Sequence, residues 1–453
     1  MTPDANDLCV FAVKRGKLEN RIDPHFYLPE FQIIVNKIKG LERYTTIGSI
    51  AKFSKETTDF SEFKNGIFEY LEISGVELGA NRYQTTATEV AQAPSRAKMK
   101  TQVGDIAIST TRPHRGAIVE IKNEGIIAST GFSIIRELDC NINEKWFLFT
   151  LLSQAVLQQM LQRSSGGNYP AIAEDEIRNI YIPLLDTIKQ KEMVIFIEAA
   201  LDKKVQKARC SDELLSSMNA YLFEILKLSN VNYNERLFCA VTLSNIVADK
   251  TFSAEYYHPE RMAALHALKS NSSIPAVRLS DVVSFHRCIV SSIGNANYLG
   301  LAGVESQTGE LSGVQEEANG QAFAYEQGDI LYGRLRPYLN KVIVAENSGI
   351  CSTEFHVMRV IDTATVLPEY VAAILRSDLI LSQTKHMMTG NTHPRISNDD
   401  VQNLYIPIPD ITVQREIVSE LRKRRMEARQ LRIEAEQEWQ EARKQFEKEL
   451  LGE

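Results

Sequence analysis

The segment GNTHPRISNDDVQNLYIPIPDITVQREIVSEL, residues 390–421, has a partner earlier in the chain. Residues 166–201 read GGNYPAIAEDEIRNIYIPLLDTIKQKEMVIFIEAAL. Pro170 matches Pro394 and Gln190 matches Gln414, at a constant offset of 224. Each copy predicts a glycine loop, a short helix, an apolar strand ending at proline and a long charged helix. A repeat with so long a period indicates two similar domains in tandem.

Further segments match in the same order upstream of each copy. Residues 47–53 and 279–285 predict a buried strand, and residues 144–162 and 368–387 predict a helix. Two strands around an Arg-Pro turn are predicted for residues 102–121 and 326–345, and another strand pair for 125–136 and 349–359. Residues 1–20 have no repeat partner and predict a strand-like arm. Each half is therefore an α+β domain, with strands first and helices last.

The two long helices carry heptad seams without a partner in their own half. Two helices of this length, each spanning roughly 60 Å, need a packing partner, and the obvious partner for each is the long helix of the other repeat. We therefore predict two long antiparallel coiled-coil helices joining two homologous domains. The alternative is two separate surface helices, each packed on its own domain. The predicted packing residues are Val194, Leu201, Leu215, Leu222, Ile417, Leu421 and Leu431.

The composition predicts a cytoplasmic protein without a membrane span. No apolar run reaches the roughly 18 residues that a span requires, and the N-terminus lacks the features of a signal peptide. Six scattered cysteines argue for reduced thiols and against zinc, and the eight histidines do not cluster at ligand spacing. A net charge of −7 gives no general basic footprint for nucleic acid, so such binding must depend on local patches.

The chain resembles the specificity subunits of type I restriction–modification systems over nearly its whole length. The resemblance is carried by RPYLNK (336–341), STEF (352–355) and the two repeated segments quoted above. It implies a non-catalytic subunit with two target-recognition domains, each reading half of a split site on double-stranded DNA. It also implies two modification (methyltransferase) subunits and restriction subunits as partners. No cofactor is expected in this chain, and S-adenosylmethionine is expected in the modification subunits.

On this basis we predict four segments. Residues 1–186 and 231–409 are the two target-recognition domains, and residues 187–230 and 410–453 are the central and C-terminal helical regions. The chain is acidic overall, whereas DNA-binding domains are usually basic. Its affinity for DNA in the absence of partner subunits is therefore in question.

Two kinds of segment are candidates for DNA contact. The Arg-Pro turns lie in locally basic stretches, and arginine can bridge guanine or clamp phosphate. Alternatively, Arg112 and Arg336 are structural and fix the turn before proline. The glycine loops precede helix starts, which favours backbone contact with phosphate, or they are plain connections. The predicted DNA-binding residues are Arg96, Lys98, Thr110, Arg112, His114, Arg115, Asn168, Tyr169, Arg334, Arg336, Tyr338, Asn340, Lys341, Asn391, Thr392, His393 and Arg395.

Enzyme motifs give no competing assignment. The chain has no Walker A loop, HExxH, GxSxG or glycine-rich S-adenosylmethionine loop, and no catalytic or metal-ligating residues are predicted. Two alternatives stay open: a fused methyltransferase or nuclease with an unrecognised site, and a protein-binding scaffold of a related defence complex.

Overall fold

The computed structural model describes residues 11–18, 21–63, 66–228, 240–249, 252–290, 298–317, 320–390 and 392–453. The chain divides into two compact units. The first unit combines Met1–Val205 with Ala435–Glu453, and the second is Gln206–Glu434. The four predicted segments, which follow sequence rather than packing, stay a prediction.

The first unit is an α+β domain. Its helices are α1 (Pro29–Lys39), α2 (Ile47–Ile50), α3 (Glu144–Leu151), α4 (Gln154–Arg163) and α5 (Glu174–Arg178). Its strands are β1 (Tyr44–Thr46), β2 (Ala51–Ser54), β3 (Ile67–Leu71), β4 (Val76–Glu77), β5 (Arg82–Tyr83), β6 (Thr86–Glu89), β7 (Ala97–Lys100), β8 (Ile106–Ser109), β9 (Ile118–Glu120), β10 (Ile126–Ser129), β11 (Phe132–Leu138) and β12 (Tyr181–Pro183).

Helix α6 (Thr187–Ile225) begins in the first unit and ends in the second. The second unit's short helices are α7 (Leu243–Asp249), α8 (Pro259–Lys269), α9 (Pro368–Leu375), α10 (Asp378–Thr384) and α11 (Asn398–Gln402). Its strands are β13 (Ala276–Arg278), β14 (Val283–His286), β15 (Cys288–Val290), β16 (Tyr298–Leu299), β17 (Ala322–Tyr325), β18 (Ile330–Gly333), β19 (Val342–Val344), β20 (Gly349–Ser352), β21 (Phe355–Val360) and β22 (Tyr405–Pro407). Helix α12 (Ile411–Leu450) returns to the first unit.

Each unit is built on two four-stranded sheets. One sheet is antiparallel, with the order β2-β11-β8-β9 in the first unit and β14-β21-β18-β19 in the second. The other sheet is mixed, because β10 pairs in parallel with β3 and β20 pairs in parallel with β16. A small β1-β12 or β13-β22 ladder precedes each long helix. The tandem α+β prediction is therefore confirmed.

Three details of the sequence prediction are wrong. Residues 47–53 and 279–285 each start with a helical turn, and strands β2 and β14 begin only after it. The helices predicted at 144–162 and 368–387 are each two helices, separated at Ser153 and Ser377. The Ser153 hydroxyl caps the second helix by accepting from the Val156 amide, whereas the Ser377 hydroxyl donates back to the Ile374 carbonyl at the end of the first helix. Strands β10 and β11 lie in different sheets, as do β20 and β21.

The predicted arm at residues 1–20 falls largely outside the described residues. Its described part contains a 3₁₀ turn at Arg15–Lys17 and no strand between residues 11 and 18.

A buried ion pair holds the antiparallel sheet together in each unit. Asp105 accepts two hydrogen bonds from Arg136, at 3.1 and 2.9 Å, and Asp329 accepts two from Arg359, at 2.7 and 2.9 Å. Both aspartates are 1% exposed. These hydrogen bonds raise the pKa of both arginines, so each arginine stays charged.

A buried glutamine fixes the start of each long helix. Gln190 accepts a hydrogen bond from the Asn143 amide at 2.7 Å, and Gln414 accepts one from the Leu367 amide at 3.0 Å. Both glutamines are 0% exposed. Because each side chain also donates to a carbonyl just before its own helix, α6 and α12 leave their domains along defined directions.

The long helices pair antiparallel within each unit. In the first unit Lys189 pairs with Glu449 and Lys204 with Glu436, so residue numbers run in opposite directions. The second unit repeats this pattern between Lys207 and Glu434. Of the predicted seam residues, the buried ones are Val194, Leu222, Ile417 and Leu421, and the half-buried ones are Leu201, Leu215 and Leu431. No helix within the described residues is long and apolar enough to span a bilayer.

Candidate nucleic-acid interface

The Arg-Pro turns have the same unusual backbone in both units. Arg112 has φ 47° and ψ 50°, and Arg336 has φ 50° and ψ 62°, so both are left-handed. Each precedes a short 3₁₀ turn that ends at a second left-handed residue, Gly116 in the first unit and Asn340 in the second. A left-handed arginine is strained by about 1 kcal/mol or more, so the surroundings must hold it in place.

The glycine loops supply that support. The Arg112 amide donates to the Pro170 carbonyl, and the Arg336 amide donates to the Pro394 carbonyl, each at 2.7 Å. The positive φ of 98° at both Gly166 and Gly390 lets each loop fold back on itself. The two segments proposed separately from the sequence are thus in contact in each unit. Both arginine backbones have a structural role, which was one of the two alternatives.

In the first unit the surface is formed by the turn and an exposed tyrosine. The Arg112 guanidinium stacks over Tyr169, 4.2 Å from the ring centroid, and donates to the Asn168 carbonyl at 3.1 Å. Tyr169 is 69% exposed, and Arg115 is also exposed. This arrangement presents a cation and an aromatic face to solvent, both of which are common in contacts with nucleic acid.

His114 is a more enclosed member of the same turn. Burial lowers the pKa of its imidazole, and the nearby Arg115 and Arg112 lower it further. Its Nδ1 is buried and has no hydrogen-bond partner among the described residues. The ring is therefore neutral at pH 7 and contributes no charge to the surface.

Three other predicted residues adjoin this turn. The Arg96 carbonyl accepts a hydrogen bond from the Thr130 amide at 2.8 Å. The carbonyl of Gly131, which follows Thr130, accepts from both the amide and the hydroxyl of Thr110. Arg96 and Lys98 are exposed, and Lys98 lies on edge strand β7. The Thr110 hydroxyl is engaged inside the unit, whereas the two basic side chains face solvent.

The second unit has a different set of side chains on the same backbone. Arg336, Thr392 and His393 are exposed, and Tyr338 is 42% exposed. Arg395 forms a bidentate ion pair with Glu354, with its closest contact at 2.7 Å, and these hydrogen bonds raise the pKa of Arg395. Asn391 lies outside the described residues. The exposed surface here is mainly aromatic and polar.

Three predicted residues of the second turn are directed into the unit. Asn340 is 3% exposed and donates to the Gln307 side chain at 3.0 Å and to the Arg376 carbonyl. Lys341 donates to the Leu301 carbonyl at 2.8 Å. Arg334 is half-buried, and its Nε has no partner among the described residues. The side chains of Asn340 and Lys341 therefore stabilise the fold of the turn.

One group of potential metal ligands was missed by sequence reasoning. In the part of the chain that the structure describes, His258, Glu260 and His386 bring one possible ligand atom each within 4.8 Å of one another. The histidines do not cluster at ligand spacing in the sequence, and it is the fold that brings two of them together across more than a hundred residues. The only available signal was the His-x-Glu spacing at the start of α8.

The family model described as the type I restriction modification DNA specificity domain matches residues 39–209 and 293–435. These two ranges make up more than half of the chain, and each contains one Arg-Pro turn and one glycine loop. The duplicated match agrees with the tandem arrangement of the two units.

Two curated proteins and one solved structure are similar to the chain. The type I restriction enzyme EcoDI specificity subunit of Escherichia coli is 22% identical over 289 residues, which are 60% of this chain and 61% of that protein. The chain thus spans about three fifths of the length of this relative. The HindI specificity subunit of Haemophilus influenzae is 30% identical over 114 residues, which are 24% of this chain and 25% of that protein.

The solved structure supports the fold. A chain from a study of complex assembly and conformational transition of the type I R-M system superposes with a TM-score of 0.51 at 19% identity. The superposition covers 90% of this chain and 96% of the other. Together with the family match, the repeated turn and loop lead to one conclusion. The chain belongs to the type I restriction modification DNA specificity domain family.

Proposed function

We propose that the chain is the DNA-specificity subunit of a type I restriction–modification complex. Each unit reads one half of a split DNA site, and the long helices bind the modification subunits. The chain itself is non-catalytic and acts in the cytoplasm. Restriction subunits join the complex through the modification core.

The observation that carries this proposal is the duplicated turn and loop. In both units the left-handed arginine is held by a 2.7 Å hydrogen bond to the proline of the glycine loop. The side chains presented on that shared backbone differ, with Arg115 and Tyr169 in one unit and Tyr338 and His393 in the other. Two readers of different half-sites need this combination: a common frame with different side chains at its tip.

Within this proposal the exposed residues have distinct tasks. Arg96, Lys98 and Arg115 in the first unit and Arg336 in the second supply positive charge for phosphate or guanine. Tyr169 and Tyr338 supply aromatic faces against bases or sugars. Asn340 and Lys341 are left out of this set, because their side chains bind within the unit.

The modification subunits complete the chemistry. They bind S-adenosylmethionine and receive adenines flipped out of the duplex, while this chain fixes where the complex stands on DNA. Because the chain carries a net charge of −7, tight binding depends on the basic surfaces of the assembled complex, and it weakens steeply with salt.

The test is a map of methylated adenines in cells that express this chain with the modification subunit encoded beside it. We expect a split motif that disappears when this chain is removed. Arg115→Ala should relax one half of the motif, and Tyr338→Ala the other, each by about tenfold in relative methylation at the affected base, which corresponds to about 1.4 kcal/mol.

Two exposed residues away from the turns serve as matched controls. Lys52→Ala removes a charge from the first unit, and Ile361→Ala removes an exposed apolar side chain from the second, and neither should change the motif. Relaxation of both halves by Arg115→Ala would contradict the assignment of one unit to one half-site. A soluble, associated complex that methylates no motif would instead favour a protein-binding scaffold.

A further inference from the structure

Helices α8 and α10 of the second unit meet at a compact group of polar side chains. His258 is the N-cap of α8, Glu260 lies in its first turn, and His386 follows the end of α10. The two imidazole rings stack at a centroid distance of 3.4 Å and an angle of 12°. His386 Nε2 is 2.8 Å from Glu260 Oε2. Three potential ligands from two elements thus converge on one point.

The spacing of these groups is close to that of a metal site. The three ligand atoms lie within 4.8 Å of one another. A tetrahedral zinc ion with bonds of about 2.0–2.1 Å to nitrogen and oxygen holds its ligand atoms roughly 3.3 Å apart. To hold one ion, the three ligand atoms must approach one another and the stacked imidazole rings must tilt, because nearly parallel rings direct their nitrogen lone pairs along parallel planes. Two imidazoles and one carboxylate are a ligand set that zinc-like ions accept, with solvent in a fourth position.

The carboxylate is prepared for a cation. Glu260 is only 6% exposed. Its Oε2 oxygen lies 2.8 Å from His386 Nε2 and 2.6 Å from the Lys385 ammonium nitrogen. Ser382 donates to the other carboxylate oxygen at 3.1 Å, which fixes the orientation of the group. Such outer contacts are typical supports of metal-bound carboxylates.

We propose that His258, Glu260 and His386 bind one divalent transition metal ion of the zinc type. The ion joins the start of α8 to the end of α10 and so stabilises the second unit. This site is independent of the proposed DNA contacts, none of which belongs to the cluster. In the absence of metal, the hydrogen bonds among these residues and Lys385 hold the two helices together.

Two of the three equivalent positions in the first unit carry no metal ligand, and the repeat supplies the matched substitutions. His258 aligns with Leu28, Glu260 with Glu30, and His386 with Gln162. In the first unit Gln162 donates to the Phe26 carbonyl at 2.8 Å. His258→Leu and His386→Gln therefore convert each ligand into a residue that the same position already tolerates in a related domain.

Lys385 makes the proposal sharper. Its ammonium group is 2.6 Å from Glu260 Oε2, and its side chain is 35% exposed. A metal ion must compete with this charge or displace it toward solvent. We therefore expect Lys385→Met to strengthen metal binding severalfold. If the cluster serves only as an ion pair, the same change should give no gain in metal affinity.

The experiment uses the full chain without a histidine tag, stripped of metal with a chelator. Zinc sulfate is titrated by calorimetry, and cobalt chloride is followed by visible absorption, which reports tetrahedral coordination. We expect one equivalent of each ion to bind. His386→Gln and His258→Leu should each weaken zinc binding at least tenfold, and zinc should raise the melting temperature of the unaltered chain but not that of these variants.

His266→Gln is the control, because His266 is an exposed histidine on the same helix α8. It should bind zinc as the unaltered chain does. The proposal is overturned if the unaltered chain binds neither ion, if His386→Gln binds zinc with unchanged affinity, or if Lys385→Met gives no gain in metal affinity. Circular dichroism of each variant shows that the comparison is made between folded proteins.

Discussion

The two units share one sheet almost completely and differ in the other. The antiparallel sheets have matching strand orders and the same buried Asp–Arg pair. In the mixed sheets, β10 and β20 take equivalent central places, but the edges differ. Strand β6 flanks β3 in the first unit, whereas β15 flanks β17 in the second. The shared antiparallel sheet carries the Arg-Pro turn, so the backbone common to the two units and the differing edge strands lie in separate sheets.

The same contrast holds within the turn itself. Its backbone is left-handed at both ends in each unit, yet Gly116 fills the last position in one and Asn340 in the other. Glycine adopts this conformation freely, whereas asparagine adopts it at a cost that local hydrogen bonds offset. Different side chains thus stabilise one backbone, which leaves the exposed positions free to diverge.

The largest expected effect tests the shared sheet. Asp105→Ala should lower the stability of the first unit by about 3 kcal/mol, because the largely buried Arg136 guanidinium loses two hydrogen bonds and keeps only Glu56 and the Lys100 carbonyl as partners. Asp329→Ala should cost the second unit less, about 2 kcal/mol, because Arg359 is 37% exposed against 16% for Arg136. Hydrogen exchange read separately on β8 and β18 measures the two losses. A larger loss for Asp329→Ala would contradict this ranking.

The next largest expected effect is a difference between the two units in how stability depends on pH. Burial, and then the charge of Arg334, lower the pKa of His356 to about 4, whereas the first unit has Ser133 at this position. Between pH 6.5 and about 4 the unfolded chain binds the extra proton, so the stability of the second unit falls as pH falls. At pH 5 the loss from this histidine is about 2 kcal/mol relative to pH 8.

His356→Ser should remove this pH dependence while lowering stability by a constant amount at every pH. Unfolding of both proteins at pH 5 and pH 8, followed by hydrogen exchange on β21, provides the measurement. Equal pH dependence in the variant and the unaltered chain would show that other groups control the acid sensitivity.

The smallest effects concern the last residue of each turn. Gly116→Ala should cost about 1 kcal/mol, because φ is 75° there. Asn340→Gly keeps the backbone but removes the buried hydrogen bonds to Gln307 and Arg376, which should also cost about 1 kcal/mol. Asn340→Ala loses the side-chain hydrogen bonds and also places alanine in a left-handed conformation, so its loss of stability should be about twice as large. Thermal melting of each variant tests this order, and an Asn340→Ala protein as stable as Asn340→Gly would break it.

Much of the architecture was predictable, because the repeat and the apolar patterns are local properties of the chain. The strands around the Arg-Pro turn follow the predicted pattern, since β8 and β9 both lie within residues 102–121. The predictions that were wrong depend either on a local side-chain hydrogen bond or on contacts between distant segments. The break at Ser153 depends on a side-chain cap, and the separation of β10 from β11 depends on which strand each one meets.

The candidate site was predictable as two segments but not as one surface. Nothing in the local sequence shows that Arg112 will donate to Pro170 or that Tyr169 will stack on Arg112. The sequence also does not distinguish Tyr338, which is exposed, from Asn340, which is buried two residues later. The turn geometry makes this distinction, because Tyr338 lies at the surface of the 3₁₀ turn, whereas the left-handed Asn340 ends the turn and donates to Gln307 and the Arg376 carbonyl.

The duplication, the α+β class and the heptad seams of the two long helices follow from the sequence alone, because periodicity and repetition are local properties of the chain. Which side chains meet depends on the folded arrangement. It joined each turn to its glycine loop, enclosed Asp105 and Asp329 with their arginines, and brought His386 to His258 and Glu260. These contacts depend on the packing of elements far apart in sequence, and packing is a property that no local pattern encodes.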